Sequence, residues 1–323
     1  MTKLVVAEGR VLDRILDDTH SIWSDGLTRS AYGRFFAAQI GTPWGRTHLR
    51  RFALVDGDEV PASAKLYVFD AVLDGAPIRV AGLGAVFTSP AARGRGAARD
   101  LIEQLLERAG GEGADLALLF SEIGPDYYAR LGFEVIPTLD RQLRVTESTR
   151  HGAPMTMVRG GDDRDLEDIV AMGAARAEPY RFHLTRDRDL VHFAIARKRL
   201  LAGLGAPGVR AVHFFIAEEG ASAVAYVVIS VQGNAWTVEE MGDRDLSGAR
   251  AGAILQALIA REPAERRPAI SAWLPAGLLP SQITIVGETP SKGVMMVRPL
   301  NDRARGLRPL APDDVFVWRG DAF

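Results

Sequence analysis

The residues best suited to chemistry lie between Gly82 and Ala98, GLGAVFTSPAARGRGAA. Arg93-Gly94-Arg95-Gly96-Ala97-Ala98 opens an amphipathic helix. Ala97, Ala98, Leu101, Ile102, Leu105, Leu106 and Ala109 recur at helical spacing, and Arg99, Asp100, Glu103, Gln104 and Arg108 fill the other face. A helix start leaves its first amides without intrahelical partners, at the positive end of the helix dipole. Gly94 and Gly96 let a ligand approach the backbone closely, and Arg93 and Arg95 add charge. The chemistry this suits is the holding of a phosphate. Two common phosphate loops are excluded. No lysine is followed by Ser or Thr, as GxxxxGK[ST] requires. A dinucleotide turn needs GxGxxG opening a helix, but Gly82-x-Gly84 sits inside an apolar run and lacks the third glycine. An ordinary Gly/Arg turn before a surface helix fits the hexapeptide equally well.

The elements that must position this turn read as a mixed sheet with helices. Ile78 to Phe87 is a long central strand, and Pro90 stops it because proline has no amide for a ladder. Lys3 to Ala7 is a first strand, and a helix runs from Leu12 past His20 to Trp23. Arg51 to Val55 and Ser63 to Asp70 alternate as strands about the turn Asp56-Gly57-Asp58, and Asp74-Gly75 is a second turn. Trp23, Tyr32, Phe35, Phe36 and Trp44 are suited to packing a helical pair on that sheet. After the helix, Gly110 to Gly113 is a break, and Asp115 to Phe120 is a short apolar strand. Then comes Ser121 to Phe133, SEIGPDYYARLGF.

Composition bounds what the chain can be. Its 323 residues are enough for two ordinary domains. Hydrophobic residues make up 47%, and a formal net charge of −2 gives no basic field for nucleic acid. No apolar run approaches the ~20 residues of a membrane helix, so no membrane partner is expected. MTKLVVAEGR carries no apolar secretion segment, so a cytoplasmic protein is expected. The absence of cysteine excludes disulfides, thiolate metal sites and cysteine nucleophiles. The six histidines are scattered, with no HExxH, so no metal is expected.

Arg93-x-x-Gly96-x-Ala98 after a Val-x-Thr-x-Pro strand resembles motif A of the GNAT superfamily, the GCN5-related acyl-CoA N-acyltransferases. Tyr128-x-x-Leu131-Gly132-Phe133 resembles motif B. The resemblance covers roughly residues 1 to 145. SEIGPDYYARLGF is also similar to fungal lysine N6-acetyltransferases and, more loosely, to Eis-type amine acetyltransferases. The resemblance implies an α+β GNAT fold and acetyl-CoA as co-substrate. It places the pyrophosphate on the amides of Arg93, Gly94, Arg95, Gly96, Ala97, Ala98 and Arg99. Val86, Phe87 and Thr88 then run beside the pantetheine arm, and an amide near Val86 faces the thioester carbonyl. Tyr128 matches the family's tyrosine and is the expected general acid for the leaving thiolate, with Tyr127 packing beside it. Glu122 is either a base or a carboxylate capping the Tyr128 helix. The aromatic segment before the second strand lies where the family varies with its acceptor.

The second half reads less directly. Thr146 to Pro154 is polar and reads as a linker, which puts a catalytic domain at 1–150 and a second domain at 151–323. Met157 to Val170 is similar to Val5 to Leu16. A helix over Leu190–Leu201, strands over Ala211–Ala217, Ala223–Val231 and Ala235–Met241, a helix over Ser247–Ala260, and strands over Ala269–Trp273 and Val294–Val297 repeat the GNAT order. The corresponding loop carries Asp243 and Asp245 and no arginine–glycine turn, and those acids would repel a pyrophosphate. The expectation is a degenerate GNAT-like domain without coenzyme, the alternative an unrelated α+β domain. Phe316, Trp318 and Phe323 close the sequence. They either pack on the second domain's sheet or return to the first domain, where the Phe323 carboxylate, as in Eis-type enzymes, would help deprotonate the amine. The expected activity is direct acetyl transfer from acetyl-CoA to a primary amine of a small molecule, an amino acid such as lysine among the candidates. A protein N-acetyltransferase and a non-catalytic acyl-CoA sensor are the alternatives.

Overall fold

Two polar turns, at Asp56–Glu59 and Asp74–Ala76, fold residues 49–88 into an antiparallel meander. The computed structural model describes residues 2–146 and 157–323. Its contacts divide the chain into two units. Residues up to Pro137, Lys292–Ala311 and Phe323 form the first, and Thr138–Ser291 with Pro312–Ala322 the second. The elements run β1 (Lys3–Val6), α1 (Gly9–Trp23), α2 (Arg29–Gly41), α3 (Pro43–His48), β2 (Leu49–Asp56), β3 (Glu59–Leu73) and β4 (Ala76–Thr88). Next come α4 (Ala97–Gly111), β5 (Leu116–Ser121), α5 (Asp126–Ala129) and β6 (Glu134–Ile136). The second unit holds β7 (Leu139–Val145), β8 (Met157–Gly160), α6 (Leu166–Ala177), β9 (Phe182–Leu184), α7 (Arg188–Leu204) and β10 (Arg210–Glu219). It continues with β11 (Ser222–Gln232), β12 (Ala235–Asp243), α8 (Ala249–Ile259), β13 (Ala269–Ala272) and β14 (Ile283–Pro290). β15 (Val294–Pro299) and α9 (Asp302–Arg305) belong to the first unit, and β16 (Val315–Phe316) to the second.

In the first unit the strand order is β1-β2-β3-β4-β5-β15-β6. Only β4 and β5 are parallel within it. Strand alternation sends Phe52, Leu54, Leu66 and Leu83 to one face, where Leu101, Leu105, Leu119 and Met296 complete the core. Burying Leu101, Ile102, Leu105 and Leu106 of α4 is worth about 6–12 kcal/mol at ordinary transfer values. The opposite face carries α1 to α3. Thr28 caps α2 by accepting from the Ala31 amide at 3.2 Å. Thr42 caps α3, with Pro43 at the first helical position, where no amide is needed.

The second unit repeats this plan in the order β8-β10-β11-β12-β13-β7-β14, with β12 and β13 parallel. The parallel β12–β13 pair thus takes the place of β4–β5, and the described residues form two mixed sheets of the same strand order.

Two expectations need correction. The division near residue 150 moves to 137/138, because β7 pairs with β13 and β14 of the second sheet. Val294–Val297, expected in the second domain, lies in β15 between β5 and β6 of the first sheet. Arg298 fixes it there, forking to Glu103 of α4 at 3.0 and 3.1 Å and donating to the Leu131 carbonyl at 2.8 Å. The expected linker, from Glu147 onward, lies outside the described residues.

Candidate functional site

The site begins with an irregularity in β4. Ser63 pairs with Phe87 and Lys65 with Gly84, so β4 carries one more residue than β3 between these pairs. The extra residue is at Ala85, whose φ of 48° is a left-handed conformation rare for a residue with a Cβ. On its other side β4 pairs with β5 only from Val80/Leu116 to Leu83/Leu119. β4 continues to Thr88 and β5 to Ser121, so the backbone of Gly84–Thr88 has no strand beside it there. The Phe87 side chain is buried edge-on to Trp23, 6.4 Å between ring centroids. Whatever Phe87 offers a ligand is therefore its backbone.

β4 leads into the glycine–arginine turn. Gly94 and Gly96 have φ of 74° and 85°, and a Cβ at either would meet no atom within 4 Å. Gly96 is the N-cap residue of α4, and no side chain caps the helix. The amides of Ala97, Ala98 and Arg99 thus start the helix with no residue four back to receive them. The Arg93 and Arg95 amides already donate to Pro90 and Ala92 carbonyls, at 3.4 and 3.3 Å. The expected seven-residue cradle therefore narrows to Gly94, Gly96, Ala97, Ala98 and Arg99 for backbone contacts. The exposed side chains of Arg93 and Arg95 remain as charge.

Tyr128 lies on α5, buried in the α4 core, with its ring 5.1 Å from that of Tyr127 and 6.0 Å from Phe133. Burial pushes its phenol up to about 12, with Tyr127 adding to the shift, so it stays protonated at neutral pH. Tyr127 is the half-buried neighbour. Glu122 is exposed on the turn after β5, which Ser121 Oγ closes by donating to the Gly124 carbonyl at 2.6 Å. The cap position of α5 is Pro125 and no side chain caps it, so Glu122 is not a helix cap.

Sequence reasoning missed the use of Gly82 and Gly84. A Cβ at Gly82 would stand 2.5 Å from Phe323 Cζ and 2.8 Å from Phe69 Cε2. At Gly84 it would stand 3.3 Å from Phe323 Cδ2 and 3.4 Å from the Phe323 main-chain oxygen. The Phe323 ring thus packs against β4, with centroids 4.6 Å from Tyr67, 5.3 Å from Phe69 and 5.5 Å from Phe120. Phe316 and Trp318 pack in the core of the second unit, and Phe323 belongs to the first.

The second unit has its own β12 irregularity, where Val228 pairs with Glu240 but Ile229 with Val238, leaving Glu239 as the extra residue. Its helix start is filled. Asp243 is buried and accepts from the Arg250 amide at 2.7 Å, the Ala251 amide at 3.3 Å and the Asp245 amide at 2.9 Å. Asp243 occupies the place an anion would take, a stronger obstacle than the expected repulsion. Among the described residues no group of three or more His, Asp or Glu could hold a metal ion, and no helix is long and apolar enough to cross a membrane.

Residues 43–136 match the family model described as Acetyltransferase (GNAT) domain, so the first unit carries a domain of the GNAT superfamily. The chain is similar in fold to a GCN5-related N-acetyltransferase from Kribbella flavida, with 19% identity and a TM-score of 0.69 over 94% of this chain and 72% of that one. It is similar to a GCN5-related N-acetyltransferase from Anabaena variabilis, with 12% identity and a TM-score of 0.68 over 93% of this chain and 73% of that one. Eis1 from Mycobacterium abscessus shares 14% identity, with a TM-score of 0.55 over 93% of this chain and 74% of that one. At these identities the likeness is one of fold. A search among curated proteins finds no match. The family match supports acyl transfer as the general activity.

Proposed function

We propose that the protein transfers an acetyl group from acetyl-CoA directly to a primary amine of a small molecule, an amino acid among the candidates. One observation carries the reading: an uncapped α4 start, opened by two left-handed glycines, follows directly on a β4 strand that has lost its parallel neighbour. Acetyl-CoA supplies the acyl group as a thioester. The amides of Gly94, Gly96, Ala97, Ala98 and Arg99 hold its pyrophosphate, with Arg93 and Arg95 as counter-charges. The backbone of Val86–Thr88 orients the pantetheine, and the Val86 amide donates to the thioester oxygen as negative charge develops there. As the amine nitrogen bonds to the acyl carbon and the carbon–sulfur bond breaks, a carboxylate takes the ammonium proton and the Tyr128 hydroxyl protonates the departing sulfur. Glu122 and the carboxylate of Phe323 are the two candidates for the acceptor of that proton. Packing of Phe323 over Gly82 and Gly84 favours a small acceptor over an open protein groove.

Calorimetric titration with acetyl-CoA tests the loop. Gly96→Glu puts a carboxylate at the pyrophosphate position and should abolish binding, whereas Gly96→Ala adds only the left-handed strain of about 1 kcal/mol. Unchanged affinity in Gly96→Glu would remove this turn from the site.

A further inference from the structure

The face of the first sheet that carries Phe323 also holds a charge that the transfer chemistry does not use. Arg51 on β2 is only 2% exposed. Its Nη2 donates to Ser63 Oγ at 3.2 Å, while Nε and Nη1 are buried with no hydrogen-bond partner. Its guanidinium lies 5.9 Å from the centre of the Phe36 ring, and Lys65 Nζ lies 5.6 Å from the same ring. Burial pulls Arg51 below its usual pKa, and what opposes this is Tyr32, by charge and by a side-chain hydrogen bond, and Tyr67, not a carboxylate. Among the described residues no acid pairs with it. A buried guanidinium with idle donors and no counter-charge is costly, and an apolar side chain of the same volume would serve the fold better.

Its placement suggests the use. Arg51 pairs with Lys65 and Lys65 with Gly84, so the three form one row on one face of adjacent strands. Two strand spacings, about 10 Å, separate Arg51 from Gly84. Gly84 adjoins both Phe323 and the irregularity at Ala85. A short aliphatic chain with an amine at one end and an anion at the other spans that interval. The planar fork of an arginine matches the two oxygens of a carboxylate.

We propose that Arg51 receives a carboxylate of the acceptor, so that the acceptors are amines that carry a carboxylate group, amino acids first among them. The inference rests on the acyl-transfer reading above. Phe36 and Tyr32 of α2 lie against the guanidinium, so binding requires that helix to shift aside.

The test uses the full chain and a panel of amino acids, each paired with the amine that lacks its carboxylate. Calorimetric binding and thiol release from acetyl-CoA are read separately on the wild type, Arg51→Lys and Arg51→Met. The wild type should bind at least one carboxylated amine about tenfold to hundredfold more tightly than its partner. Arg51→Met should remove that difference and Arg51→Lys should keep part of it. Arg51→Met also deletes an unpaired buried charge, so its melting temperature should equal or exceed that of the wild type. A preference that survives in Arg51→Met, or a wild type that binds no carboxylated amine, overturns the proposal. Amines that bind through Arg51 but release no thiol would leave this seat standing and sink the acetyl-transfer reading instead.

Discussion

Tyr128 and Phe323 set the account at the scale of single residues. Tyr128 is held protonated by burial, with its phenol near 12. The proton-donating form therefore predominates up to about one pH unit below that value, and no alkaline loss of rate should trace to Tyr128 below about pH 11. Tyr128→Phe keeps the ring and should lower kcat ~10²-fold, with acetyl-CoA affinity unchanged. If Tyr127→Phe gave that loss and Tyr128→Phe did not, the roles of the two tyrosines would be exchanged. Removing Phe323 alone should cost most of the activity toward amines while acetyl-CoA still binds. A larger deletion would not be informative, since Trp318 is buried in the second unit's core and its loss would unfold rather than inactivate. Full activity without Phe323 would leave Glu122 as the proton acceptor. Tyr128 was legible in the sequence from its spacing to Gly132-Phe133. Gly82 and Gly84 were not, because the ring that demands them belongs to residue 323. Arg51 was not legible either: as one basic residue in an alternating strand, it shows its missing partner only once folded.

At the scale of elements, the difference between the two units is how a helix begins. α4 and α8 both start at a left-handed glycine without a side-chain cap of its own, Gly96 and Gly248, but the first amides of α8, those of Arg250 and Ala251, donate to the Asp243 carboxylate. Asp243→Ala should therefore destabilise the second unit by about 2 kcal/mol or more, since it removes a cap and leaves Arg250 without one of its acids. Thermal unfolding would show it, and acetyl-CoA affinity should not change. An unaltered melting temperature would mean that α8 does not depend on this cap. The span of α4 was readable from apolar periodicity, because its buried residues Leu101, Ile102, Leu105, Leu106 and Ala109 follow one stripe. β15 was readable as a strand but not as a member of the first sheet. Apolar alternation specifies that a strand is buried, not which sheet buries it, and its fixing contact to Glu103 comes from far away in sequence.

At the scale of the molecule, two sheets of one topology carry unequal helix starts, one open and one filled. Titration should thus show one acetyl-CoA per chain. Two equivalent sites would mean that the Asp243 carboxylate yields its place to a phosphate. The repeated fold was legible as an order of elements, helped by the likeness of Met157–Val170 to Val5–Leu16. The exchange of β7 and β15 was not, because each sits where a strand from its own segment would have fitted the order equally well.

In the proposed reaction an acyl thioester held at the α4 start is passed to an amine. The most direct measurement follows thiol release from acetyl-CoA by the full chain across an amine panel, with mass spectrometry of the acceptor. Release should depend on the amine, with an acetylated product in equal amount, and both should be lost in Gly96→Glu. Binding of acetyl-CoA with no amine-dependent release from any member of the panel would contradict it and leave the protein a sensor of the coenzyme.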